Sequence, residues 1–282
     1  MYKNPLCFIQ NSLNLFKIFQ LKISFYKYQG AGNDFVMIDD RQGNFPQRGE
    51  IIQSLCDRHF GIGADGLILL QNDKDTDFRM VYFNSDGRES TMCGNGGRCI
   101  AKFAKDLGLI QNETFFNAID GEHSAKIDEK EIHLKMSNVP EVQMFENHLF
   151  LNTGSPHHIE FSKDISEVDV KNYGRKIRYG APYFEEGTNV NFVELINENT
   201  LKIRTYERGV EDETLACGTG ITAAAIAAYD SGKILKNEIR VLAEGGNLSV
   251  KFEKNVSGGY ENVWLTGPAK RVFEGEIEVK SE

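Results

Sequence analysis

Cys93-Gly94-Asn95-Gly96 and Cys217-Gly218-Thr219-Gly220 repeat one pattern, C-G-x-G, 124 residues apart in a chain of 282. The likeness continues outward in both directions. A Glu stands four residues before each Cys, in Glu89-Ser90-Thr91-Met92-Cys93 and in Glu213-Thr214-Leu215-Ala216-Cys217. Downstream, Ile100-Ala101-Lys102-Phe103-Ala104 and Ile221-Thr222-Ala223-Ala224-Ala225-Ile226 read as helices that the two motifs open. Two copies of a thiol at a helix start imply two related halves facing each other across one site. Such a pair suits moving a proton on and off a single carbon.

Outside these helices the chain reads mostly as short strands. Ile23-Ser24-Phe25-Tyr26-Lys27-Tyr28 alternates and runs into the turn Gly30-Ala31-Gly32; Phe35–Asp39, Leu67–Leu70 and Phe78–Phe83 follow as strands. Glu50 to Phe60 places Ile51, Ile52, Leu55, Cys56 and His59 on one helical face. The second half repeats the order, with strands near Ile159, at Val190–Val193 and at Leu201–Thr205 before the Cys217 helix. Many antiparallel strands around one helix per half define an α+β fold, since a parallel sheet would show regular βαβα alternation. Gly61-Ile62-Gly63-Ala64-Asp65-Gly66 matches GxGxxG literally, but a helix precedes it and a strand follows. Dinucleotide binding needs the reverse order, so this is a helix-to-strand turn.

Charge and cysteine usage narrow the class. A net charge of −9, from 32 basic and 41 acidic residues, excludes nucleic acid as a main partner, and no basic stripe opposes that. Five Cys, with no CxxC pair and no zinc-like spacing, fit no metal site or disulfide framework and indicate a reducing, cytoplasmic setting. Cys7, Cys56 and Cys99 read as small buried hydrophobes. Met1 to Leu21 is apolar but broken by Asn11, Asn14 and Lys17, with no cleavage site after it, and reads as an extension ahead of the fold. No stretch reaches the roughly 20 apolar residues of a membrane span.

Cys93 and Cys217 differ from the other cysteines because Gly follows each where a helix begins. The free N–H groups and dipole of a helix start favour thiolate and can also hold a substrate carboxylate, while Gly leaves room for its approach. One thiolate removes an α-proton and the other thiol returns a proton from the opposite face; pre-oriented donors then stabilise the carbanion without a cofactor. Tyr206-Glu207-Arg208-Gly209 offers a carboxylate for an ammonium beside a guanidinium for a carboxylate. Asn33, Asn84 and Asn189 are loop amides, and His157 is a potential partner for a thiol.

Together these residues resemble the diaminopimelate epimerase family, from about Phe25 to Glu276. The resemblance rests on Tyr28-Gln29-Gly30-Ala31-Gly32-Asn33-Asp34-Phe35, Arg58-His59-Phe60-Gly61-Ile62-Gly63-Ala64-Asp65-Gly66, Phe83-Asn84-Ser85-Asp86-Gly87, Met92-Cys93-Gly94-Asn95-Gly96, Tyr206-Glu207-Arg208-Gly209 and Ala216-Cys217-Gly218-Thr219-Gly220. It implies a cofactor-independent and metal-free isomerase interconverting LL- and meso-diaminopimelate, a small-molecule substrate, in lysine and peptidoglycan precursor synthesis. Cys93 and Cys217 would be the two acid/base residues. Gly94-Asn95 and Gly218-Thr219 would hold the reacting carboxylate. Asn33 and Glu207 would face the reacting centre, with His157 beside Glu207 near the thiols. Asn84, Asn189 and Arg208 would bind the distal end, with Ser155 standing where the family often has Asn.

The resemblance also implies two pseudo-symmetric halves, each wrapping strands around a central helix with the site in the cleft between them. Residues 1–22 would be the extension, 23–137 plus 268–282 the first half and 138–267 the second, with the last strand returning to the first half. No membrane or nucleic-acid partner is expected, and a homodimer is compatible with it. A proline racemase-like enzyme, a dithiol redox protein cycling a Cys93–Cys217 disulfide, and a non-catalytic carboxylate-binding module are the alternatives.

Overall fold

In a computed structural model that describes residues 19–281, the chain forms one continuous 18-stranded sheet curled around two helices. The first half runs β1 (Phe19–Gly30), β2 (Asn33–Asp39), α1 (Gly49–Cys56), β3 (Gly66–Gln71), β4 (Phe78–Asn84), β5 (Glu89–Ser90), α2 (Gly94–Asp106), β6 (Glu113–Ala118), β7 (Gly121–Ile127) and β8 (Ile132–Lys135). The second half runs β9 (Val142–Met144), β10 (Leu149–Asn152), β11 (Pro156–Ser162), α3 (Val170–Tyr179), β12 (Asn189–Asn197), β13 (Thr200–Glu207), β14 (Asp212–Thr214), α4 (Gly218–Asp230), β15 (Glu238–Ala243), β16 (Gly246–Lys254) and β17 (Tyr260–Gly267). A last strand, β18 (Lys270–Ser281), then pairs antiparallel along the whole of β1.

The halves repeat pairing for pairing. β2–β3 and β11–β12 are parallel, β3–β4 and β12–β13 antiparallel, and β4–β6 and β13–β15 parallel again. Antiparallel β6–β7–β8 and β15–β16–β17 complete each copy, and β8 pairs with β17 to join the halves. α2 and α4 occupy equivalent places, one inside each curl, as the repeated motif requires.

Side-chain chemistry explains the layers. From Ile221 to Ala228 every residue of α4 is buried, so the helix has no polar face and can only be central. Its alanines favour helix and let strands approach closely. The runs in β2, β3 and β4 are buried on both sides: Phe35, Met37, Ile68, Leu70 and Met80 face α2, while Val36, Ile38, Leu67, Leu69 and Val81 face α1. That two-sided burial is why these strands read as continuous apolar runs.

Three local expectations change. Strand β1 begins at Phe19, inside the segment assigned to the extension, because Phe19 to Lys22 continue the ladder against β18; residues 1–18, including Cys7, lie outside the described residues. α1 stops at Cys56, where the Asp57 carboxylate accepts from the N–H groups of His59 and Phe60 and turns the chain out. His59 is therefore exposed and takes no part in the apolar face. α3 was not anticipated, because Gly174 interrupts its pattern. That glycine is required, since a Cβ there would lie 2.5 Å from Tyr206 Cβ. Among the described residues no helix is long and apolar enough to cross a membrane.

Candidate active site

The two motifs converge. A Cβ on Gly94 would lie 3.5 Å from Gly218 Cα, and one on Gly218 would lie 3.3 Å from Gly94 Cα. Both would also meet Leu265 Cδ2 of β17 at 3.1 Å, so the two glycines let the helices start close against each other without displacing that side chain. Cys93 and Cys217 are the N-caps of α2 and α4, both with extended backbone. A thiol is a poor substitute for the oxygen caps usually found at helix starts. The Gly96 N–H donates to Cys93 Sγ at 3.2 Å, and Cys217 Sγ stands 3.5 Å from Thr219 Oγ1. Gly94, Asn95, Gly218 and Thr219 supply first-turn N–H groups that no helix carbonyl can reach, a ready anion site.

The expectation that helix starts would favour thiolate is reversed by burial. Burial pushes the Cys93 thiol up to about 11; the Gly96 N–H opposes that, the Glu207 carboxylate adds to it and Arg98 opposes it. Cys217 is pushed higher still, by burial first and then by Glu207. Both rest as thiols, and either one, once ionised, is a stronger base than an exposed thiolate. Glu207 at the end of β13 is itself raised by burial; it accepts from Thr214 Oγ1 at 2.8 Å and from the Cys217 thiol.

Around Cys93 a directed chain of side chains forms. Arg98 donates to Asn95 Oδ1 at 2.9 Å, Asn95 Nδ2 donates to Asn33 Oδ1, and Asn33 Nδ2 donates to Asp65 Oδ2 at 2.9 Å. Arg98 can only donate and Asp65 only accept, so both amides are fixed in orientation. Asn33 then has one N–H left to offer a ligand, as a donor. Asn95 Nδ2 also reaches the carbonyl of Ala216 at 3.1 Å, tying the first half to the residue before Cys217. Asp65 is held in turn by Arg58, which also pairs with Asp34.

A second group lies beyond Glu207. Asn189 Nδ2 donates to Ser155 Oγ at 2.9 Å, and Asn189 Oδ1 accepts from the Arg208 N–H at 2.9 Å. The Arg208 guanidinium reaches Ser155 Oγ at 3.4 Å and the Glu186 carbonyl at 2.9 Å. Arg208 has no carboxylate partner among the described residues and is half-buried, so its charge is available. Asn84 ends β4 opposite Gly66, next to Asp65; its backbone N–H donates to the Arg88 carbonyl at 3.0 Å, while its side-chain amide makes no hydrogen bond to a described residue. Sequence reasoning missed Asp65, Arg98 and Asn191. Arg98 left a signal, as the one charged residue between Gly94 and Ala101 in α2.

His157 is fully buried against the start of α4; a Cβ on Gly220 would lie 3.3 Å from its Cε1. Nδ1 stands 3.1 Å from Asn191 Nδ2, and Nε2 has no partner. Burial, reinforced by Arg208, lowers its pKa from 6.5 to about 3. Below pH 6.5 the unfolded chain takes up a proton that the folded chain refuses. Stability from this group is therefore full above the unfolded value and falls by about 1.4 kcal/mol per pH unit down to the folded one. Urea unfolding from pH 7 to pH 4 should show that loss, and His157→Gln should flatten the slope.

Two related halves, each placing a cysteine-capped helix against the other, define the class. The same fold occurs in a solved Bacillus anthracis phenazine biosynthesis protein of the PhzF family, with a TM-score of 0.71 at 16% identity, covering 91% of this chain and 99% of that one. A model of the diaminopimelate epimerase family matches residues 25–140 and 149–272. A relative from Flavobacterium psychrophilum, named diaminopimelate epimerase, is 58% identical over 254 residues, 89% of this chain and 99% of its own. One of the same name from Aquifex aeolicus is 40% identical over 276 residues, 90% of this chain and 98% of its own. The chain belongs to the diaminopimelate epimerase family.

Proposed function

We propose that the chain is a cofactor-independent isomerase that interconverts LL- and meso-diaminopimelate by proton exchange between Cys93 and Cys217. The observation that carries this is the abutment of two cysteine-capped helix starts through Gly94 and Gly218. In one direction a Cys93 thiolate takes the α-proton while the Cys217 thiol gives its proton to the opposite face, leaving thiol and thiolate exchanged. In the other direction the roles swap. The first-turn N–H groups of Gly94-Asn95 and Gly218-Thr219 hold the carboxylate where charge develops. Glu207 and the remaining Asn33 N–H flank the reacting carbon.

The distal amino-acid end is recognised by Arg208, Asn189 and Asn84, with Ser155 as a hydroxyl bridging the first two. This cluster favours a substrate with a second charged terminus over a simple cyclic imino acid. His157 packs under the Cys217 helix and supports it. The reading includes a cytoplasmic enzyme, consistent with Cys56, Cys93, Cys99 and Cys217 all being free thiols, and it is compatible with assembly into a homodimer.

The test is incubation of the reduced protein with LL-diaminopimelate in deuterated water without added cofactor. Deuterium at one α-carbon accompanied by meso product is expected. No exchange under these conditions would end the proposal, and exchange into proline in a parallel incubation with that substrate would favour the imino-acid alternative.

A further inference from the structure

Arg98 has no exposed surface, yet its guanidinium meets no carboxylate among the described residues. Its partners are neutral: the Gly94 carbonyl at 3.1 Å, the Asn95 Oδ1 at 2.9 Å and the Pro268 carbonyl at 3.4 Å. The contrast with other buried cations is sharp. Lys27 holds Asp34 at 2.7 Å, and Arg178 holds Glu211 at 3.2 Å. An unpaired buried charge is expensive to keep and is retained only where something offsets the cost. Arg98 sits one turn into α2, with its charge bound to the carbonyl of the residue that follows Cys93. Gly267 of β17 leaves room for it, since a Cβ there would stand 3.3 Å from its Nε.

Two negative charges come to this place during the reaction proposed above, on which this inference rests: a thiolate, and a substrate carboxylate that becomes more anionic as the α-proton leaves. We propose that Arg98 is a positioning residue whose uncompensated charge supports the Cys93 thiolate and the carboxylate at the paired helix starts, while its donor-only contact orients the Asn95 and Asn33 amides. Groups whose charge acts on or responds to Cys93 include Glu207 from β13, Tyr82 from β4, Cys217 at the start of α4, and Cys99 and Arg98 from α2. Of these only Arg98 is a cation. Burial lowers Arg98 only to about 10, so it stays charged at neutral pH.

Labelling of Cys93 by iodoacetamide at pH 8, read by peptide mapping in the full chain without substrate, isolates this effect from turnover. At that pH the rate follows the thiolate fraction. Arg98→Gln keeps donors for the carbonyls but removes the charge, and should slow Cys93 labelling about tenfold, the effect of one nearby opposite charge. Arg98→Lys keeps the charge and should stay within about threefold of the parent by the same reasoning. A purely structural role predicts the opposite sign, because a loosened site exposes Cys93 and labels faster. Unchanged or faster labelling in Arg98→Gln overturns the proposal, as does Arg98→Lys labelling as slowly as Arg98→Gln. If Arg98→Gln does not fold, Arg98→Lys decides alone: a rate near the parent supports it and a tenfold loss overturns it. Because no turnover is measured, failure here leaves the deuterium test of the epimerase reading untouched.

Discussion

Cys93→Ala and Cys217→Ala each lose epimerisation of LL-diaminopimelate by about 10⁴-fold, the upper end of what one positioned acid or base contributes. Each variant removes the only thiol at its helix start, so one face of the reacting carbon has no proton acceptor or donor. Neither should unfold. Cys217 contacts Thr219 Oγ1 at 3.5 Å and otherwise meets the Gly220 N–H and Glu207. Cys93 accepts from the Gly96 N–H at 3.2 Å, with the Asn95 N–H also directed at it. A thermal melt within a few degrees of the parent should accompany the lost activity. If either variant retained inversion above about 1% of the parent, the two-thiol mechanism would be wrong, since a one-base route would suffice.

Gly220→Ala removes activity by a different path, through packing. A Cβ at this position would lie 2.4 Å from Asn191 Oδ1 and 3.3 Å from His157 Cε1. Asn191 cannot easily yield, because its amide is fully engaged. Oδ1 accepts from Thr205 Oγ1 at 3.0 Å, and Nδ2 donates to the His158 carbonyl at 3.0 Å and to His157 Nδ1 at 3.1 Å. The extra methyl must therefore break a buried polar network or push α4 away from β11 and β12. Overpacking and a lost buried hydrogen bond together cost about 3 kcal/mol, a drop of roughly 6–12 °C in Tm for a chain of this size. Moving α4 also moves Cys217 off its partner helix, so kcat should fall more than KM rises. Calorimetry and steady-state kinetics on one preparation check both. An unchanged Tm would show that the glycine is not required for space.

Glu213 illustrates how a correct repeat can carry two meanings. Glu89 and Glu213 stand at matching distances before their cysteines, but Glu89 is exposed while Glu213 pairs with Arg204 through both oxygens at 2.7 and 2.8 Å. The repeat records the common origin of the halves in geometry. It does not assign equal tasks to equivalent positions.

The internal symmetry and the two cysteine-led helix starts were legible without coordinates, because both are local. A C-G-x-G pattern encodes a capped helix start and its room for approach. A helix-then-strand context rules out a dinucleotide turn. The tertiary structure alone decided what depends on neighbours distant in the chain. The protonation of Cys93 and Cys217 is one case: the helix start favours thiolate, but strands and side chains from the other half remove water, and burial wins. The Arg98–Asn95–Asn33–Asp65 chain is another, since the four residues come from α2, β2 and the turn before β3. The strand start at Phe19 is a third, set by a partner more than 250 residues away in β18. Sequence fixes which atoms are present at a helix start; the dielectric and charge around them come from segments that only folding brings together.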